Sequence, residues 1–137
     1  MKTIIVIIAV LMALGTASYA SSVSQQWVKA YRWSDGGYLK RIMQTSDGGY
    51  LAAGMDYDTY QIEAMKLDSN GDVSWFKSYP AYPVASSLSD IYTVEEAIDG
   101  GYLIAGYTWF LDISGGWILK LDTSGDIIWQ KVYDGIS

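Results

Sequence analysis

From residue 27 onward the chain alternates apolar and polar positions with a period of two, in short runs separated by glycine, aspartate and serine. Successive side chains of a strand point to opposite faces, so this alternation predicts β-strands. The runs form two sets of four: 39–45, 50–55, 62–67 and 73–79, then 91–97, 102–108, 117–121 and 127–133. Tyr, Trp, Ile and Val crowd them, residues that suit a pleated surface, and no run has the length and spacing of a helix. Both prolines, Pro80 and Pro83, fall between the two sets. The fold class expected is all-β.

The second set restates the first. Asp47-Gly48-Gly49-Tyr50 returns as Asp99-Gly100-Gly101-Tyr102, 52 positions on, and Lys66-Leu67-Asp68 returns as Lys120-Leu121-Asp122. Gly71-Asp72 is echoed by Gly125-Asp126, and the alternation Trp75, Lys77, Tyr79 by Trp129, Lys131, Tyr133. Repetition at such a period marks stacked supersecondary units. Trp27-Val28-Lys29-Ala30-Tyr31 carries the last pattern once more, like the fourth strand of a unit whose first three strands are missing, so nine strands are expected. An aromatic at the same place in every unit suits the gap between neighbouring sheets; the alternative is a sugar-stacking platform.

Each turn has its own chemistry. Asp-Gly-Gly joins the first and second strands of a unit, where Gly48 and Gly49, and Gly100 and Gly101, are expected to supply the positive φ of a tight hairpin. Asp68 through Gly71 and Asp122 through Gly125 join the third and fourth strands, the aspartate accepting from the turn's own amides and the glycine turning left-handed. Asp68-Ser69-Asn70-Gly71-Asp72 also looks like part of a calcium loop. The distal glutamate and other ligands are missing, and Ser124 stands where Asn70 stood, so neither a metal nor another cofactor is expected.

Composition narrows the function classes. Fifteen acidic residues against nine basic ones give a formal net charge of −6, which argues against nucleic acid as a partner. Lys2, the apolar run 4–14 and Ser18-Tyr19-Ala20 have the layout of a signal peptide over 1–20, with the mature chain starting at Ser21. The apolar run is shorter than the roughly 20 residues that span a bilayer, so a secreted or cell-surface location is expected. The chain has no cysteine and no histidine. Disulfides, thiol chemistry and Ser-His-Asp or Cys-His catalysis are thereby removed.

Carboxylates and aromatics remain. Glu95 and Glu96 adjoin, and neighbours on a strand face opposite ways, so they make a poor shared site. The loops between Met55 and Gln61 and between Tyr107 and Gly116 are where the two units diverge, and loops on a rigid scaffold are where binding is usually built. Tyr57, Tyr60, Trp109 and Phe110 could stack there on a sugar or peptide, with Asp56, Asp58 and Asp112 accepting hydrogen bonds. The plain alternative is that these aromatics close the end of each sheet.

The run Gln44-Thr45-Ser46-Asp47-Gly48-Gly49-Tyr50-Leu51-Ala52-Ala53-Gly54, then Lys66-Leu67-Asp68-Ser69-Asn70-Gly71-Asp72, then a Trp-x-Lys-x-Tyr strand resembles the tandem β-propeller repeats of secreted archaeal and bacterial surface proteins. The resemblance runs from Trp27 to the end. It implies four-stranded antiparallel blades around an axis and brings no catalytic set. Gly71 to Trp75 and Gly125 to Trp129 are also similar to the docking turn of quinoprotein propellers, whose quinone and metal residues have no counterpart here. The sialidase-type turn fails in register, because two residues separate Asp68 from Gly71.

The resemblance thus implies a leftover strand at about 27–31 and blades at about 38–79 and 90–133, in which Gly48, Gly49, Gly71, Trp75, Gly100, Gly101, Gly125 and Trp129 are structural. One chain does not close a ring, which leaves a homo-oligomer, a piece of a longer propeller or a short solenoid-like stack. The function expected is a non-catalytic interaction module with a protein or glycan ligand. The alternatives are a multivalent carbohydrate-binding protein and a degenerate propeller hydrolase.

Overall fold

The computed structural model describes residues 3–6, 27–80, 88–110 and 113–134, and every element among them is a strand. A short strand β1 (Thr3–Val6) pairs antiparallel with β2 (Lys29–Arg32). Strands β3 (Gly37–Gln44), β4 (Tyr50–Asp56), β5 (Gln61–Leu67) and β6 (Val73–Pro80) form an antiparallel sheet in chain order. A second sheet of the same order follows, from β7 (Leu88–Glu96), β8 (Tyr102–Phe110), β9 (Ile113–Leu121) and β10 (Ile127–Asp134). The sheets agree even in their irregularities. The register shifts between Leu39 and Arg41 opposite Gly54, and between Ile91 and Thr93 opposite Gly106. A Cβ at Gly54 would collide with the Tyr38 carbonyl, and one at Gly106 with that of Asp90, so each bulge needs its glycine.

Four expectations change. The loop expected between Tyr107 and Gly116 is mostly strand: Thr108, Trp109 and Phe110, residue types that suit a strand, carry the ladder on through Thr108↔Gly115, Trp109↔Ser114 and Phe110↔Ile113. Trp109 and Phe110 are therefore strand residues, while their side chains and Asp112 lie outside the described residues. Of each glycine pair only Gly48 and Gly100 have positive φ, +80° and +84°. Gly49 and Gly101 serve close approach instead, since a Cβ there would strike the carbonyl oxygen of Leu67 or of Leu121. The count of nine strands becomes ten, because the β-branched run within Thr3–Val6 pairs with the free edge of β2. Finally, Pro80 is the last residue of β6 rather than part of a connection; Pro83 and most of 1–20 lie outside the described residues.

The two sheets stack through a shared core. Leu51, Ala53, Met55, Ile62 and Ala64 of the first meet Ile91, Tyr102, Ile104, Trp117, Leu119 and Leu121 of the second. On its other face the first sheet presents Tyr50, Ala52, Met65 and Leu67, which Tyr31, Trp33 and Trp27 cover. Strand β4 is accordingly buried along its whole length. Among the described residues, the second sheet is covered on one face only. Tyr107 and Tyr133, at the places of Met55 and Tyr79, are 40% and 52% exposed, whereas Met55 and Tyr79 are 0% and 3% exposed.

One device, made twice, fixes this stacking. Strand β6 seats on the β9–β10 turn: Tyr79 Oη donates to the Gly125 carbonyl (2.8 Å), Lys77 Nζ pairs with Asp126 (2.6 Å), and Trp75 Nε1 donates to the Thr123 carbonyl (3.3 Å). The 27–31 segment seats on the β5–β6 turn in the same way, Tyr31 Oη on the Gly71 carbonyl (2.7 Å) and Lys29 on Asp72 (2.7 Å). Each indole lies flat where a side chain would otherwise stand: a Cβ on Gly125 would come within 3.0 Å of the Trp75 ring, and one on Gly71 within 2.9 Å of Trp27. Both glycines also need a left-handed backbone, φ +79° and +76°. The ion pairs are solvent-facing and contribute at most about 1 kcal/mol each, so burial of the rings carries the contact, on the order of 2 kcal/mol per ring.

Truncating the two equivalent tryptophans should therefore have unequal effects. Trp75→Ala is expected to lower stability by about 2–3 kcal/mol in urea unfolding. Trp129→Ala, whose half-buried ring has the Lys131 ammonium at 5.4 Å and seats on no turn among the described residues, should cost less than about 1 kcal/mol. Equal losses would show that the seated ring is not what joins the sheets.

Candidate functional site

The residues expected to bind ligand divide on the structure. Asp56 ends β4, buried, and its Oδ1 accepts the backbone N–H groups of Asp58 (2.8 Å) and Thr59 (3.1 Å). Burial opposes its charge. The N–H groups of Thr59 and Asp58 and the hydroxyls of Thr59 and Ser34 outweigh that and hold the carboxyl below the usual range. Asp56 is thus the organising acceptor of the β4–β5 turn rather than a loop group open to ligand. The turn so formed carries Tyr60 at φ 55°, a left-handed conformation that costs a side-chain-bearing residue about 1–2 kcal/mol.

Around that turn the sequence brings together more than the loop itself. The Tyr57 N–H donates to the Gly36 carbonyl (3.0 Å), and Gly36 lies so close that a Cβ there would come within 2.6 Å of the Asp56 and Asp58 carboxyls. The Tyr57 ring meets Tyr38 edge-on at 5.6 Å, and Lys40 sits over it at 5.4 Å while reaching Asp90 (3.3 Å). The Tyr57 hydroxyl, with Asp90 behind it, holds the Lys40 ammonium above its ordinary range against the effect of burial. Tyr38 and Tyr60 are 45% and 38% exposed, and Asp58 is exposed beside them. The result is a shelf of tyrosines with one cation and one open carboxylate, chemistry suited to stacking and hydrogen bonding.

Beneath it lies a group the alternation did not flag. Glu63 is 2% exposed and accepts from Ser34 Oγ (2.9 Å). Desolvation first, and the charge of Asp56 in addition, push its carboxyl up, against the pull of the Ser34 hydroxyl. Its position between Ile62 and Ala64-Met65, a fully buried run of β5, was the signal available, since both faces of that strand are covered.

Between the sheets runs a second concavity of about 380 Å³, lined by Asp47, Lys66, Trp75, Glu96 and Tyr102 among others. Its polar groups already satisfy one another. Buried Lys66 binds Asp47 (2.8 Å) and the Leu67 carbonyl (3.0 Å), and Glu96 accepts from the N–H (2.7 Å) and hydroxyl (2.9 Å) of Ser46. Lys66, with the Thr45 hydroxyl and the Gly49 N–H, pulls the Asp47 carboxyl down to about 2. Lys120 and Asp99 repeat the pair at 2.6 Å. The Asp68 carboxylate accepts from Asn70 and Asp72, and that of Asp122 from Ser124 and Asp126, so both aspartates close their own turns. No cluster of three metal-ligating side chains occurs among the described residues, and no helix among them is long and apolar enough to cross a membrane.

Compared with known proteins, the chain matches no family model and no curated protein sequence.

Asp47 and Glu63 should respond to acid in opposite directions. Asp47 has a lowered folded-state value, so its contribution is complete above about pH 4 and is lost as pH falls toward 2. Asp47→Asn should cost about 1–2 kcal/mol at neutral pH, less than a fully buried pair because the carboxylate is largely solvated, and should match the wild type near pH 2. Glu63 has a raised value, so its charged form weakens the fold as pH rises through that value. Glu63→Gln should be more stable than the wild type at pH 7 and no more stable below about pH 4, as read from urea midpoints across that range.

Proposed function

We propose that this chain is an extracytoplasmic, non-catalytic interaction module built of propeller-type blades, each four-stranded sheet being one blade. The observation that carries the reading is the twice-made seat of a Trp-Lys-Tyr strand on a Gly-Asp turn, which joins successive sheets by the same groups at the same offsets. A scaffold of this kind spends its polar residues on its own turns and seams. Asp47, Asp56, Asp68, Asp99 and Asp122 do so here, which leaves the tyrosine shelf of Tyr38, Tyr57 and Tyr60 as the contact surface the loops offer. The apolar leader supports a location outside the cytoplasm, and the acidic balance keeps nucleic acid out of the list of partners.

Panels of glycosides and esters, run beside an array of glycans, test the reading. The expected result is no turnover by the wild type and none by Asp56→Asn. Turnover that disappears in Asp56→Asn or Glu63→Gln with the fold retained would make the chain a hydrolase and end the scaffold reading. Saturable glycan binding without turnover, lost in Tyr57→Ala, would identify the shelf as a carbohydrate site.

A further inference from the structure

The outward face of the second sheet repeats, at five positions, the face by which the first sheet is buried. Leu103 and Ala105 stand where Leu51 and Ala53 are 0% exposed, and Trp129, Lys131 and Tyr133 stand where Trp75, Lys77 and Tyr79 seat on the next turn. Among the described residues nothing seats against this face. It opens on a concavity of about 630 Å³ lined by Ile98, Asp99, Leu103, Lys120 and Trp129, with Ile98 fully exposed. A face of this composition matches one kind of surface: an antiparallel sheet that shows a buried-type tyrosine strand and an Asp-x-x-Gly-Asp turn. The first sheet of this chain is such a surface, through Tyr50, Ala52, Met65, Leu67 and the Gly71-Asp72 turn. In the single chain it is covered by only the 27–33 segment, whose Trp27, Lys29 and Tyr31 copy the contacts of a neighbouring sheet's last strand.

We propose that this face docks a second copy of the chain, head to tail. Strand β10 of one copy takes the place of the 27–31 segment on the other, Lys131 replacing Lys29 at Asp72 and Tyr133 replacing Tyr31 at the Gly71 carbonyl. The 27–31 segment is then a built-in cap. It competes at the high effective concentration of a tethered group, and the incoming sheet offsets that by burying Leu103 and Ala105 as well. The contact is heterologous, so it leaves a head and a tail free after each addition and extends until a ring closes. The proposal rests on the stacking of like sheets in that reading and is read by mass alone, so turnover in the assays above would end the non-catalytic part of that reading and leave this one standing.

Two charge reversals of equivalent lysines should act in opposite directions. The test is sedimentation velocity with light scattering on the purified chain over the micromolar range. Lys29→Glu sets the cap against Asp72 without touching the acceptor turn, and should move association to lower concentration by about five- to tenfold. Lys131→Glu sets the incoming strand against the same Asp72, and should move it to higher concentration by a similar factor or abolish it. Both side chains are solvent-facing, and near-wild-type urea midpoints are expected for both variants. A wild type and Lys29→Glu that both stay monomeric overturn the proposal, as does an equal response of the two variants.

Discussion

Everything in this architecture depends on a hydrogen bond and a stacked ring at a glycine. The β5–β6 and β9–β10 turns end in a glycine whose left-handed backbone aims its carbonyl outward and whose lack of a Cβ leaves a flat patch beside it. Tyrosine takes the carbonyl and tryptophan takes the patch, and both come from alternate positions of one strand, so they reach the turn together. The lysine between them finds the aspartate after the glycine. Because donor strand and acceptor turn lie on opposite faces of a sheet, each sheet gains a direction. Stacking in that direction buries β4 completely and leaves the second sheet with a donor face and, among the described residues, no turn beneath it.

What the sequence disclosed follows from the same logic. Strand positions, hairpin order and the Trp-Lys-Tyr alternation were legible because a period of two and a glycine at a turn are local properties. The pairing of Asp47 with Lys66 was not, although both belong to recurring motifs, because they are 19 residues apart and meet only when Gly49 lets the β5 backbone pass. Glu63 escaped notice because a strand buried on both faces has no polar side, so alternation carries no information there. The extent of β8 and β9 was misjudged where Gly115 and Gly116 look like loop residues; paired across from Thr108 and Tyr107, they are strand. Of the candidate binding residues, Tyr57, Asp58 and Tyr60 share one turn, and Asp56 supports it from below.

Asp56 and Glu63 show how far apart two carboxyls near one turn can be driven. The first is charged because four donors surround it, and the second is disfavoured as an anion because apolar strands surround it. A divergence of this kind is also how acid and base roles are assigned in enzymes. Here Asp56 already accepts two turn amides and Glu63 lies under the sheet, accepting from Ser34. Exposure passes instead to tyrosines, which present large faces at little entropic cost, the property expected of a contact surface.

The cap on the first sheet lies outside the two four-stranded ladders. Strand β2 is joined to its neighbours in two ways, by the side chains of Trp27, Lys29 and Tyr31 on the turn and by a backbone ladder to β1. The ladder partner, Thr3–Val6, lies within the segment that has the layout of a leader. If that segment is removed, the N–H and C=O groups on that edge of β2 turn to water, and only the side-chain seat and the cover over Tyr50 and Leu67 keep the strand in place. A strand so held exchanges more readily than one paired on its ladder edge. Loss of the Thr3–Val6 strand would then loosen the cap at the same moment that it frees an edge.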